Sequence, residues 1–155
     1  MADPTPLSVG KKAPAISLVD QTGATRTLAS YKGRKVLVYF YPKADTPGCT
    51  QQSCLLRDIV GQIGDTAIIG ISPDNPARQA KFDQKYGLGF PLLADTEHIV
   101  ALAYGVWAEK KNYGKTYMGI VRSAFLIDET GKFEQVWYKI SPKDTPTKLL
   151  EALAA

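Results

Sequence analysis

Cys49 and Cys54 are the only two cysteines in the chain, and both lie in PKADTPGCTQQSC, residues 42–54, five positions apart. A thiol can act as a nucleophile, a metal ligand or half of a disulfide, and spacing helps to separate these uses. Structural zinc takes about four ligands in closed geometry, whereas the chain offers two cysteines and a single histidine, His98. A metal site is therefore not expected, and His98, beside Ile99 and Val100, reads as a surface or partly packed helix residue. Four residues separate the cysteines, so the C-x-x-C spacing of dithiol exchange is absent as well.

The stretch Thr46-Pro47-Gly48-Cys49 is composed like a helix start, with Thr46 as N-cap and Pro47 at the first helical position. The pattern predicts a helix to about Ile63, with Gly64 past its end and an apolar stripe of Leu55, Leu56, Ile59, Val60 and Ile63. On this wheel Cys49 lies at the edge of the stripe, facing the core side, and Cys54 lies nearly opposite. A sulfur in the first turn sits beside amides without intrahelical acceptors and near the positive end of the helix dipole, and both favour a thiolate. Cys49 is thus the candidate nucleophile; the competing reading is a small buried hydrophobe. Helix geometry puts the two Cα atoms roughly 8.7 Å apart with side chains about 140° apart, while a disulfide wants Cα atoms within about 7 Å. The pair can join only if the first turns unwind, which suits a cycle between a closed reactive state and an opened oxidised one.

Alternating runs around Gln21-Thr22-Gly23 in residues 15–28 predict a β-hairpin. KVLVYFY (35–41), which ends at the cysteine motif, reads as a strand buried on both faces. TAIIGIS (66–72), FPLLA (90–94), SAFLID (123–128) and KFEQVWYKI (132–140) follow as strands, the last two joined by a turn at Glu129-Thr130-Gly131. Helices are predicted from Asn75-Pro76 to Tyr86 with Gly87 closing, from Glu97 to Tyr104, and from Asp144 to the end. The alternation implies an α/β domain with a mixed sheet. At 155 residues, 45% hydrophobic and 22% charged, one domain over 1–155 is expected, with 1–8 as a loose N-terminal arm. No secretory signal or spanning stretch is evident, so a soluble cytoplasmic protein is expected. The net charge of +4 is too small to name a partner.

These stretches together resemble a known family. YPKADTPGCT is similar to the Pro-x-x-x-Thr-x-x-Cys motif of peroxiredoxins, and FPLLAD, YGVWAEK and GKTYMGIVRSAFLID are similar to the bacterioferritin comigratory protein (PrxQ) branch. The resemblance runs from about Val9 to the C-terminus. It implies a thioredoxin-like fold with a mixed sheet, an N-terminal β-hairpin extension and an insertion before the last two core strands. It implies a thiol peroxidase in which Cys49 attacks hydrogen peroxide or an alkyl hydroperoxide and becomes a sulfenic acid. Thr46 matches the hydroxyl that bonds thiolate and peroxide, Pro42 the residue that shields the pocket, and Arg122 the guanidinium that holds thiolate and peroxide. Taken alone, Arg122 would read as a solvated strand-end charge. Cys54 matches the resolving cysteine of the subgroup that carries it five residues downstream, forming an intramolecular disulfide that thioredoxin, or alternatively glutaredoxin, reduces. The resemblance further implies no cofactor, a bacterial source and a monomer, although an apolar patch over 104–120 could support a dimer.

Two other classes stay open from the residues. The same thiol switch could signal rather than detoxify. WAEKKNYGKTY interleaves Trp107, Tyr113 and Tyr117 with Lys110, Lys111 and Lys115, as a single-strand nucleic-acid surface does; its plainer reading is an exposed loop, and no nucleic-acid or membrane partner is expected.

Overall fold

The computed structural model describes residues 7–154. A five-stranded mixed sheet forms the centre, in the order β5 (Leu92–Ala94), β4 (Ala67–Ser72), β3 (Val36–Phe40), β8 (Ser123–Ile127), β9 (Phe133–Trp137). The β3–β4 and β4–β5 pairs are parallel, and β3–β8 and β8–β9 are antiparallel. The expected N-terminal hairpin is present as β1 (Ser17–Val19) and β2 (Thr25–Thr27), outside this sheet.

Side chains alternate across a strand, and β3 divides accordingly. Val36, Val38 and Phe40 join a core with Val100, Ala101 and Tyr104 of α3 (Ile99–Ala103) and its end. Leu37, Tyr39 and Tyr41 join a second core with α1 (Pro47–Asp58), α2 (Pro76–Tyr86) and α4 (Asp144–Ala154). Both faces of β3 are covered, which is why its sequence is an unbroken apolar run. α2 has the predicted bounds: Asn75 accepts a hydrogen bond from the Arg78 amide, and Gly87 closes the helix at φ 59°.

Four expectations are corrected. The cysteine helix stops at Asp58, and residues 60–62 form a separate 3₁₀ turn instead of continuing to Ile63. α3 is shorter than Glu97–Tyr104 because Asp95 takes over its start, accepting the Val100 and Ala101 amides at 3.2 and 2.8 Å. The expected arm over 1–8 lies outside the described residues for its first six positions, and Leu7 is not loose: its amide donates to the Tyr138 hydroxyl at 2.9 Å. The stretch expected as a loop is an antiparallel hairpin, β6 (Trp107–Asn112) and β7 (Lys115–Ile120), turning at Tyr113-Gly114 with φ 52° and 77°. Its pairing puts Lys110 and Tyr117 on one face and Trp107 on the other, where Trp107 stacks on His98 at 3.8 Å. The three aromatics do not form one stacking platform.

Candidate active site

Cys49 is the third residue of α1, directly after the loop that leaves the C-terminal end of β3, and only 1% of it is exposed. Arg122, just before β8, reaches it from the neighbouring strand: its Nη2 lies 3.5 Å from Cys49 Sγ. Sequence distance between them is 73 residues, bridged by the antiparallel β3–β8 pairing, which brings Ser123 opposite Phe40. Gly48 makes room for the approach, since a Cβ there would lie 3.1 Å from Arg122 Nη2.

The guanidinium is aimed by a partner that sequence reasoning missed. Arg122 Nη1 donates to Gln52 Oε1 at 2.7 Å, and Gln52 Nε2 donates to Thr145 Oγ1 of α4 at 2.8 Å. Gln52 and Thr145 are both fully buried. The only signal for Gln52 in the sequence is its position three residues after Cys49, on the same helix face. The buried face of α1 is therefore Cys49, Gln52, Ser53 and Leu56, displaced from the apolar stripe expected above. Ser53 is buried because its hydroxyl pairs with Tyr39 at 2.8 Å.

The preceding loop is held at two points. Buried Asp74 accepts the Ala44 amide and the Ser72 hydroxyl, each at 2.7 Å. Asp45, left-handed at φ 60°, binds Tyr86 and Lys85 at 2.7 and 3.0 Å. The Tyr86 and Lys85 contacts hold the Asp45 carboxyl below the usual carboxylate range. Pro42 is half-buried in this loop. Thr46 occupies the N-cap position with extended backbone, but its side chain makes no cap bond; Oγ1 donates to the Lys43 carbonyl at 2.8 Å. With its proton committed there, the hydroxyl has only acceptor lone pairs left for any further partner.

Both cysteines are free, and α1 runs unbroken through Cys54. Cys54 is half-buried, packed at the edge of the second core instead of facing fully away. Lys110 Nζ of β6 donates to the Ile120 carbonyl at 2.9 Å, within its own hairpin.

A buried cysteine at a helix N-terminus, at the end of a central strand and under an arginine, defines a thiol enzyme of thioredoxin-like architecture. Residues 9–136 match the AhpC/TSA family, and the chain belongs to it. It is 45% identical over 149 residues to peroxiredoxin Bcp of Bacillus subtilis, covering 95% of each chain. Among solved structures, Xanthomonas campestris peroxiredoxin Q superposes with a TM-score of 0.84 at 33% identity, covering 90% of this chain and 89% of that one. A structure of the bacterioferritin comigratory protein of the same organism, described for its alkyl peroxide reduction activity, gives 0.87 at 31% identity, covering 95% and 98%. The chain is a peroxiredoxin of the Bcp/PrxQ type, a thiol-dependent peroxidase.

Proposed function

We propose that this chain reduces hydrogen peroxide and organic hydroperoxides through Cys49, resolves the product with Cys54 and is recharged by thioredoxin. The observation that carries the reading is the Arg122 donor 3.5 Å from the buried Cys49 sulfur. The thiolate's electron pair attacks one peroxide oxygen, the O–O bond breaks, and the other oxygen leaves as hydroxide or alkoxide and takes a proton from water. Cys49 is then a sulfenic acid. Negative charge moves from sulfur to the leaving oxygen, and a fixed guanidinium near both ends lowers that barrier. Thr46 accepts the peroxide O–H and so turns the distal lone pairs toward Arg122, while Pro42 keeps bulk water from the pocket.

Resolution needs α1 to open, since an intact helix holds the two sulfurs on different faces. Opening breaks the Gln52–Thr145 and Ser53–Tyr39 bonds. The Cys54 thiolate then attacks the Cys49 sulfur, a disulfide forms and hydroxide leaves; a dithiol reductant returns two electrons and two protons. Thioredoxin is the reductant of this scheme, with glutaredoxin as the alternative, and no cofactor enters. The reading extends to a monomer in a bacterial cytoplasm, in line with the bacterial relatives. Among the described residues no helix is long and apolar enough to cross a membrane.

The test is peroxide consumption coupled to thioredoxin and its reductase. Cys49→Ser should abolish it, and Cys54→Ser should permit the first oxidation but not recycling. Full turnover by Cys49→Ser would end the reading, and normal recycling by Cys54→Ser would end the resolving role.

A further inference from the structure

Asp45 stands directly before Thr46 in the loop that leads to Cys49, and its backbone is left-handed at φ 60°. Glycine enters that region freely, whereas a residue with a Cβ stays there only when its surroundings hold it, aspartate and asparagine being the most tolerant. Thr46 then returns to extended backbone at φ −103°, and its carbonyl accepts the Thr50 amide at 2.8 Å, the bond that starts α1. The left-handed turn at Asp45 therefore sets the direction in which the chain enters the turn that carries Cys49.

What holds Asp45 comes from α2. Tyr86, the last residue of that helix, donates its hydroxyl to Asp45 Oδ1 at 2.7 Å, and Lys85 Nζ donates to Oδ2 at 3.0 Å. The two contacts are unequal. Lys85 and Asp45 are both exposed, and an exposed ion pair adds little. Tyr86 is half-buried with its ring edge-on to Phe82, centroids 5.6 Å apart, so its hydroxyl is already in place for the carboxylate. The same residue reaches the far end of α1, where its carbonyl accepts Nη1 of Arg57. Tyr86 thus grips α1 in its last turn and, through Asp45, the loop that feeds its first.

We propose that Asp45 and Tyr86 are positioning residues of the peroxidase reaction: their hydrogen bond holds the turn into α1 in the form that presents Thr46 and Cys49 to peroxide, and it breaks when α1 opens for Cys54. The proposal rests on the peroxidase reading. Neither group gives up or takes a proton in the chemistry. When the first turns unwind, Asp45 leaves the left-handed region and its carboxylate is carried away from the Tyr86 hydroxyl. Relaxation of the Asp45 backbone favours opening, and the bond to Tyr86 opposes it. Their balance divides the protein between the closed form that reacts with peroxide and the opened form that makes the disulfide.

Tyr86→Phe tests this, because it deletes the hydroxyl but keeps the ring against Phe82 and the carbonyl that Arg57 holds. Stopped-flow mixing of the reduced protein with hydrogen peroxide reads the first oxidation, and rapid quench followed by intact mass reads disulfide formation. Loss of one hydrogen bond from the closed form alone should make the first step about two- to fivefold slower and the second about three- to tenfold faster. Asp45→Gly, which suits the left-handed backbone but has no carboxylate, should behave like Tyr86→Phe. Asp45→Asn, which tolerates that backbone and still offers the hydroxyl an acceptor, should lie near the wild type. An unchanged first oxidation in Tyr86→Phe overturns the proposal. So does a slowed first oxidation with resolution unchanged or slower, the mark of general damage. Asp45→Gly indistinguishable from wild type overturns it as well, since the backbone turn alone would then suffice. Failure of the peroxidase reading itself looks different: wild-type Cys49 would then not react with hydrogen peroxide at all.

Discussion

Ser53→Ala isolates the energy that keeps α1 closed, because Ser53 touches neither Arg122 nor Cys49 in any hydrogen bond. Its hydroxyl pairs with Tyr39 at 2.8 Å, and both residues are fully buried. The phenol is desolvated strongly enough to resist ionisation, so removing its partner leaves a neutral buried O–H unsatisfied. That costs the folded helix about 1–3 kcal/mol. Alanine returns about 0.5 kcal/mol through its better helix propensity. In the opened state water reaches Tyr39 in either protein, so the difference falls on the closed state alone. A net loss of about 1.5 kcal/mol makes opening about tenfold more favourable. The rate of disulfide formation after a peroxide pulse should rise by up to that factor, while the rate of the first oxidation stays put. The dithiol–disulfide potential should become more negative by about 30 mV, since only the reduced, closed form is destabilised. Rapid-mix quench followed by intact mass separates sulfenic acid from disulfide and reads both steps. Unchanged or slower resolution, in a variant whose first oxidation is normal, would refute the reasoning that α1 opening limits resolution.

Gln52→Leu removes the acceptor that aims Arg122 and should slow the first oxidation at least tenfold while leaving the fold intact, read by stopped flow and circular dichroism; an unchanged rate would show that Arg122 aims itself. Gly70→Ala would put a methyl 2.9 Å from the Tyr39 ring and 3.0 Å from Leu92, so urea denaturation should show a loss of about 1–3 kcal/mol; an unchanged midpoint would mean that the ring shifts freely. Asp20 is 1% exposed, and burial, the largest single influence, acts to raise its pKa. Hydrogen bonds from Thr22, Arg26 and Ala24 together outweigh burial and hold it below the usual range. Its stabilising contribution is therefore full above the ordinary carboxylate pKa and is lost as pH falls through the depressed folded value. The stability gap between wild type and Asp20→Asn should be constant near neutrality and close in acid; a gap independent of pH would contradict the assignment.

Much of this was legible in the sequence where one force acted alone. The strands β3, β4 and β8 were visible as apolar runs, and α2 announced both ends through Asn75-Pro76 and Gly87. The placement of Cys49 in the first turn of α1 was legible because Pro47 suits the first helical position, although Thr46, at the N-cap position, makes no side-chain cap bond. The misses share a cause. Gln52 and Ser53 look like solvent-facing residues, and only partners 93 and 14 residues away make their burial tolerable. The β6–β7 hairpin has mostly exposed faces, so no apolar alternation marks it; Asn112-Tyr113-Gly114 was its one turn signal.

The central claim is that Cys49 is oxidised by peroxide and resolved by Cys54 within one chain. Intact mass under non-reducing conditions, after one equivalent of hydrogen peroxide, tests it most directly on reduced wild type and Cys54→Ser. The wild type should lose two hydrogens and the variant should gain one oxygen. No rapid mass change in either protein would contradict the account.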